Sequence, residues 1–255
     1  QVNTASQNVA IGAYTLTNST DAINNIAIGH QSLQSNLIGD YNIALGYQAL
    51  NKNESAQDNI AIGAYTLNNS TDGDNNIAIG RNALQTHVIG DENIAIGFGS
   101  AHQHRIGSQN VYIGSKSANS DTDASQNTVV GYNSLNTNLL GQGNATLGYK
   151  SGNNCKGDYN IIIGYEADAH EDISNSIVIG YQASVAANGT AGTKANRNIA
   201  IGTNSRVEFA TDSGGNIVGE DISNSIAYSG SPPLYAFIFK FIKIFLPNNF
   251  NYFSI

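Results

Sequence analysis

The segment Asn59–Gly80 reads NIAIGAYTLNNSTDGDNNIAIG and contains two copies of the phrase NIAIG, which end at Gly63 and Gly80. Close variants of the phrase end at thirteen glycines, and the nine from Gly12 to Gly148 follow one another at a constant 17-residue step. Two 16-residue steps then lead to Gly164 and Gly180, a 22-residue step leads to Gly202, and a last 17-residue step leads to Gly219. Self-similarity at a fixed period indicates a repeat architecture, in which each repeat is one structural unit stacked on the next.

The period decides what each unit is. Seventeen residues are too few for a helical pair of about 34, but they fit two short strands and two turns. Ile60, Ala61 and Ile62 alternate in size as a strand does, and Leu67, four residues after Gly63, predicts a second strand that closes over the first. We expect the Ile side chains to fill the interior and the repeat glycine to make the bend with positive φ. The chain is therefore predicted to be all-β, a parallel β-solenoid of about thirteen 17-residue coils.

An asparagine stands four residues before the glycine in eleven of the thirteen coils, as Asn59 and Asn76 do. Stacked coils would align these side chains into a ladder, in which each amide bonds to neighbouring coils and satisfies turn groups that the strands leave unpaired. A ligand-binding stripe is the alternative interpretation of the column. The structural role is favoured.

Composition excludes several classes of function. Charged residues make up only 12% of the chain, and Gly, Asn, Ser and Thr fill most polar positions, which favours turns over long helices. Before position 231 the chain holds 9 basic and 19 acidic residues, a net charge of −10 that would repel nucleic acid. The single Cys155 excludes an intrachain disulfide and a cysteine-based zinc site. No cofactor is predicted.

The chain divides at Pro232 into two parts of different composition. Residues 1–230 carry the repeats and are predicted to form the β-roll domain, whereas residues 231–255 are a hydrophobic tail rich in Phe, Ile, Lys and Asn. The apolar stretch Leu234–Leu246 is shorter than the roughly 20 residues of a membrane-spanning helix. We interpret the tail as unstructured or as the translation of AT-rich DNA in a wrong frame. Because the chain begins at Gln1 and lacks Met, we interpret it as a segment of a longer protein, with any membrane anchor outside it.

Coils of this size leave much of their surface in contact with water, so we expect neighbouring chains to associate. A column of small side chains permits close approach of two backbones. The alanine of each repeat phrase is therefore predicted to lie at the interface of a homotrimer, at Ala27, Ala44, Ala61, Ala78 and Ala95. The alternative is that alanine simply fits a crowded turn.

The phrases NVAIG, NIAIG and NIALG, followed by GYQAL or GAYTL, resemble the head repeats of YadA-like trimeric autotransporter adhesins over roughly Asn8–Gly219. The resemblance implies a left-handed parallel β-roll, three copies of which form a trimer that binds host matrix or cells. Similar arrays also look like those in the fibres of phages and large DNA viruses. The 17-residue step is longer than the family's usual one, and no neck, coiled-coil stalk or anchor is recognisable.

Two surfaces are candidates for binding a partner. Tyrosine directly follows the repeat glycine at Tyr47 and on four consecutive coils, at Tyr132, Tyr149, Tyr165 and Tyr181. Stacked about 4.8 Å apart, the latter four would form an aromatic stripe suited to a protein or a sugar; covering the edge of the core is the alternative. The 22-residue step predicts a projecting loop that carries Asn188 and Lys194.

Residues with catalytic or metal-binding chemistry are sparse. His102 and His104 could meet at a trimer axis and hold a metal, but other coils carry polar residues at these positions, so both are predicted to face water. Glu166, Asp168 and the pair Glu171 and Asp172 could supply the carboxylates of a glycosidase. No nucleophile or base recurs near them, so a solvated loop is favoured. We predict no catalytic residue and no metal site.

Four functions follow from this reading. The first is a non-enzymatic adhesin head segment on the cell surface or outer membrane, which attaches to a host surface protein or glycan. The second is a viral or phage fibre shaft, located on the virion. A solenoid enzyme that degrades polysaccharides is the third, and an ice-binding solenoid, which needs regular Thr columns that this chain lacks, is the fourth.

Overall fold

The computed structural model describes residues 5–137, 140–170, 173–187, 197–209 and 226–228. Within these ranges the chain is all-β, with no helix, and its strands stack in parallel as a β-solenoid. Thirteen strands form one sheet in the order of the chain, as successive coils require. They are β1 (Val9–Ile11), β2 (Ile26–Ile28), β3 (Ile43–Leu45), β4 (Ile60–Ile62), β5 (Ile77–Ile79), β6 (Ile94–Ile96), β7 (Val111–Ile113), β8 (Thr128–Val130), β9 (Ala145–Leu147), β10 (Ile161–Ile163), β12 (Ile177–Ile179), β14 (Ile199–Ile201) and β16 (Ile226–Tyr228).

Among the described residues, a second, shorter sheet is found towards the carboxyl end. It consists of β11 (Asp168–Ala169), β13 (Ser184–Ala187) and β15 (Arg206–Phe209), again in parallel. The second strand predicted in every coil is therefore wrong for the described coils that follow Gly12 to Gly148, where a run of turns follows the glycine. The reason lies in the backbone, because the leucine four residues after the glycine takes φ of 45° at Leu67 and 48° at Leu84, outside the β region.

The register of the large sheet confirms the repeat. Ile43 pairs with Ile60, its equivalent in the next coil, and Ile161 pairs with Ile177 in the same way. Ile177 pairs in turn with Ile199 across the 22-residue step, and Ile199 pairs with Ile226 of β16. The thirteenth strand of the sheet is therefore β16 and not the repeat phrase predicted to end at Gly219. That phrase lies outside the described residues, as does the tail 231–255.

The two faces of the strands are reversed relative to the prediction. The five alanines assigned to a trimer interface, Ala27, Ala44, Ala61, Ala78 and Ala95, are 0% exposed within a single chain, so they cannot form contacts between chains. The flanking isoleucines point outwards, and Ile28 is 38% exposed. The strand centre must be small because it faces the buried leucine of the turn, as Ala61 and Leu67 share one core cluster.

One position shows how tightly this interior is matched in volume. Tyr112 replaces the central alanine and is fully buried. The two turn positions nearest to it in the repeat hold Ala101 and Ala118, where neighbouring coils have leucine. A large strand residue is thus accommodated by two small turn residues, as expected of a core packed without voids.

The repeat glycines allow consecutive coils to approach each other. Gly63 has φ of 129°, and a Cβ there would lie 2.9 Å from the carbonyl carbon of Gly80 in the next coil. The predicted positive φ at the bend is confirmed, and the close approach adds a second reason for glycine.

The predicted asparagine ladder is confirmed. The Asn59 Nδ2 donates to Gly73 O of the next coil at 2.8 Å and lies 3.2 Å from Asn42 Oδ1 of the previous one. Its own Oδ1 accepts from the backbone N–H of Asn76 at 2.8 Å. All three asparagines are 0% exposed, so the column serves the fold and is not available to a ligand.

Candidate functional site

The tyrosines after four consecutive repeat glycines form a continuous stack on the surface. Ring centroids are 5.5 Å apart between Tyr132 and Tyr149, 5.0 Å between Tyr149 and Tyr165, and 5.3 Å between Tyr165 and Tyr181. The planes lie within 13° of parallel, and each tyrosine is between 39% and 49% exposed. The aromatic stripe predicted from the sequence is confirmed as a geometric feature.

Stacking determines what this tyrosine stripe can offer to a partner. The rings of Tyr149 and Tyr165 have a neighbour on both sides, so their faces are covered and their edges and hydroxyl groups point to solvent. The stripe is therefore a row of phenol groups spaced by one coil, with little open ring face for a sugar to stack on. In proteins generally, contiguous exposed aromatic surface is typical of sites that contact another molecule.

A second, less regular aromatic row lies on the first coils. Tyr47 stacks on His30 with centroids 5.4 Å apart and planes within 7°, while Tyr65 meets Tyr47 edge to face at 5.1 Å. Tyr14 meets His30 edge to face at 5.5 Å. The sequence reading found only Tyr47, because Tyr14 and Tyr65 stand two residues after the glycine and not one.

Next to the tyrosine stripe, where the second sheet begins, the surface forms a groove of about 460 Å³. Its floor includes Asp168, Ser184 and Arg206, which occupy one column because the strands pair Asp168 with Ser184 and Ser184 with Arg206. The other lining residues are Lys150, Asn153, Asn154, Glu166, His170, Gln182 and Asn204.

One wall of the groove is a column two residues after the repeat glycines: Lys150, Glu166, Gln182 and Asn204. Each coil positions the next, since Glu166 N–H donates to Tyr149 O at 2.9 Å and Gln182 N–H donates to Tyr165 O at 2.8 Å. The tyrosine stripe thus runs along this wall, one residue earlier in each coil.

Side chains inside the groove are held in place by one another. The Asn154 Nδ2 donates to Asp168 Oδ2 at 2.7 Å, and His170 Nε2 lies 3.7 Å from the same oxygen. Gln182 Nε2 donates to Glu166 Oε2 at 2.9 Å. Burial raises the pKa of Asp168 above its ordinary value, an effect that the nearby His170 and the hydrogen bonds from Asn154 oppose.

The groove corrects part of the sequence reading. Asp168 does not lie in a solvated loop, because it belongs to strand β11 and is 7% exposed, whereas Glu166 lies in the turn before that strand and is partly exposed. Glu171 and Asp172 lie outside the described residues, as do Asn188 and Lys194 of the predicted loop. The groove itself was missed because its floor is formed by β11, β13 and β15, which follow Gly164, Gly180 and Gly202, whereas the sequence predicted a second strand of the same kind in every coil.

The two histidines predicted to face water are placed differently. His104 is 0% exposed and stacks on His87, with ring centroids 5.5 Å apart and planes within 5°. Both belong to an interior polar column seven residues after the repeat glycines, which also holds Asn53 and Asp121. His102 is partly buried and pairs with Gln85 at 2.8 Å. The polar residues at these positions suggested a wet surface, whereas the coil encloses the column that contains His104.

Each histidine of this interior polar column bonds to the backbone of its own turn. His87 Nε2 lies 2.8 Å from Gly90 O, and His104 Nε2 lies 2.9 Å from Gly107 O. Burial, together with the neighbouring His104, lowers the pKa of His87 from 6.5 to about 4. These groups are enclosed and serve the core.

Asp121 of the same column forms a buried pair with a tyrosine of strand β7. Tyr112 donates its hydroxyl hydrogen to Asp121, and burial raises the pKa of that tyrosine well above its ordinary value. Both side chains are fully buried, so this pair is also part of the core and not of a surface site.

No group of three or more His, Cys, Asp or Glu side chains in the described ranges is arranged to hold a metal ion. Nor does the described part of the chain contain a helix of the length and apolarity needed to cross a membrane. No protein-family model matches the chain, and no curated protein matches its sequence. The fold is that of a β-solenoid, and the function must be argued from its surface.

Proposed function

We propose that this chain is a non-enzymatic segment of an extracellular attachment fibre, an adhesin head displayed on a cell surface. The observation that carries the proposal is the exposed stack of Tyr132, Tyr149, Tyr165 and Tyr181 along one edge of a stiff solenoid. Tyrosine is among the side chains most enriched where proteins contact their partners.

The regular stacking of the coils supports this role. Each coil is bonded to the next through the strands and through buried asparagines, so surface groups repeat at a fixed spacing of about 4.8 Å. A repeated surface engages a repeated partner many times, and linked weak contacts give strong attachment. A host protein or glycan is the partner that such a surface suits.

Adhesion of coated particles tests the proposal. Microspheres that carry the chain should bind cultured mammalian cells more than uncoated microspheres do, and the double variant Tyr149→Ala with Tyr165→Ala should lose most of that binding. The matched control is Tyr47→Ala, whose parent tyrosine is 42% exposed compared with 44% for Tyr165. Adhesion that is equal for the parent and the double variant, both folded by circular dichroism, would contradict the proposal.

The fibre is further proposed to be a homotrimer. Its contacts would involve the outward isoleucines and not the buried alanines, because Ile11, Ile28 and Ile113 are between 37% and 57% exposed on one continuous sheet face. An apolar face of this length is rarely left in water. Two further copies of the chain are the occupant that a repeated, self-similar surface fits.

Light scattering coupled to size-exclusion chromatography measures this assembly. The double variant Ile62→Lys with Ile79→Lys should shift the particle from trimer to monomer, since charges would be buried between chains. Gln57→Lys with Gln109→Lys, which adds the same charge at exposed positions, should leave the assembly unchanged. A monomeric parent chain would refute the trimer.

A further inference from the structure

The groove beside the tyrosine stripe has the dimensions of a ligand site. Its volume of about 460 Å³ lies within the roughly 300 to 1,000 Å³ typical of pockets that bind small ligands. It spans four coils, from Lys150 to Asn204, which corresponds to about 14 Å along the fibre axis. An elongated ligand that lies parallel to the axis fits this shape.

We infer that this groove binds a neutral oligosaccharide, an inference that names the partner of the attachment function proposed above and rests on it. The lining is polar along its whole length, and its side chains are of the kinds that pair with hydroxyl groups. Carboxylates accept, guanidinium and ammonium groups donate, and amides do both, so each hydroxyl of a sugar meets a complementary group.

The groups are also positioned before any ligand arrives. Asn154 donates a hydrogen bond to the Asp168 carboxylate on the floor, with His170 Nε2 3.7 Å away, and Gln182 donates one to Glu166 on the wall. A side chain already fixed by its neighbours loses less conformational freedom on binding. These side chains are linked by hydrogen bonds, in contrast to side chains that rotate freely on an ordinary solvent-exposed surface.

Charge favours a neutral ligand over an acidic one. Lys150 and Arg206 contribute two positive charges, and Glu166 and Asp168 contribute two negative ones, so these four groups balance. The whole chain carries a net charge of −8. A sulfated or sialylated glycan would be repelled by the acidic protein and by the two carboxylates of the groove. The groove also lacks the excess of basic groups that binding of an anionic polymer requires.

The tyrosine stripe extends the same site at its rim. Tyr149, Tyr165 and Tyr181 each precede a wall residue, and their outward hydroxyl groups add a row of donors at the spacing of the coils. Lys150 Nζ lies 5.3 Å from the centre of the Tyr149 ring, which holds its ammonium group at this edge. The two features therefore offer polar contacts to one ligand over consecutive coils.

Saturation-transfer NMR with cellotriose, chitotriose, maltotriose and the anionic sialyl-lactose, followed by titration, tests the inference on the whole chain. At least one neutral trisaccharide should bind. Glu166→Ala should weaken its binding about tenfold, as loss of a hydrogen bond to a charged group does, and Gln182→Ala should weaken it about fivefold, as loss of a hydrogen bond to a neutral amide does. The matched control is Gln48→Ala. Gln48 occupies the same repeat position, has φ of 54° compared with 50° for Gln182, and bonds to the preceding coil in the same way, outside the groove.

The outcomes separate the groove from the attachment function. The groove assignment is overturned if no neutral sugar binds, if sialyl-lactose binds better, or if the Gln182 and Gln48 variants bind equally well. Cell adhesion that persists without sugar binding then leaves attachment standing, with a protein as partner. Sugar binding without cell adhesion supports the groove and overturns the attachment function. Release of reducing sugars that Asp168→Asn abolishes would show a glycosidase, and it would overturn a role limited to binding.

Discussion

Lowering the pH from 7 to 4 should destabilise this fold through His87. The imidazole is enclosed in the interior polar column, where Nε2 bonds to Gly90 O and Nδ1 has no hydrogen-bond partner. His104 stacks against it, and the hydrogen bond to Gly90 and the carboxylate of Asp91 favour its charged form less than burial opposes it. Protonation would place a charge in a site that burial makes unfavourable.

The sign and size of the effect follow from the pKa. The folded value is lowered from 6.5 to about 4, so in this range the unfolded chain binds the proton more readily than the folded one. Stability from the neutral imidazole is therefore complete above pH 6.5 and decreases as the pH falls to about 4, where the loss levels off. At about 1.4 kcal/mol for each tenfold change, the loss is about 3 kcal/mol.

Urea denaturation followed by circular dichroism, at several pH values between 7 and 4, measures the free energy of unfolding of the parent and of His87→Asn. Asparagine is the matched replacement because Asn53 occupies the same repeat position and donates to Ala56 O at 3.0 Å, as His87 bonds to Gly90 O. The variant should be less sensitive to acid by about 3 kcal/mol over this range. Parallel pH profiles for the two proteins would refute the reasoning.

Three further predictions concern the core. Ala78→Asp should lower the free energy of unfolding, measured by urea denaturation, by at least about 3 kcal/mol, because the new charge is fully buried. Ile79→Asp, at a half-buried outward position, should lower it by about 1 to 2 kcal/mol. Equal losses would contradict the inward alanine face. Gly114→Ala should destabilise the fold by about 2 kcal/mol more than Gly99→Ala. A Cβ at Gly114 would lie 2.3 Å from a carbonyl oxygen of the next coil, whereas one at Gly99 would lie 3.4 Å from a side-chain nitrogen. Similar melting temperatures for the two variants would count against close coil contact. The thiol of Cys155, buried and with its pKa raised to about 12, should react with Ellman's reagent at pH 8 only after unfolding, so rapid labelling of the folded chain would contradict the enclosed site.

The features that could be predicted from the sequence are those that depend on spacing. A constant 17-residue step gives the same residue type at the same place in each coil, so the solenoid, the Asn59 ladder and the tyrosine stripe all follow from stacking at a fixed distance. Stacking aligns equivalent positions whatever direction their side chains point. For these features the period alone was sufficient.

The direction of the side chains depended on the volume inside the coil. Alternation of Ile60, Ala61 and Ile62 shows that two faces exist but does not show which face is inside, and hydrophobicity alone favours the larger residue. The interior admits only a small residue at the strand centre because Leu67 already occupies it from the turn. That choice requires the three-dimensional path of the turn, in which Leu67 takes positive φ.

The sequence by itself thus determined the repeat, its stacking and the columns that stacking produces, because these depend only on the intervals between residues. The tertiary structure decided which column is enclosed and which is exposed, since that depends on how the turns close the coil. It enclosed His104, which the sequence reading left in water, and exposed Ile28, which that reading had buried. It also brought Glu166, Gln182 and Arg206, from three different coils, into one groove, because only coils with a second strand have the outward face that forms its floor.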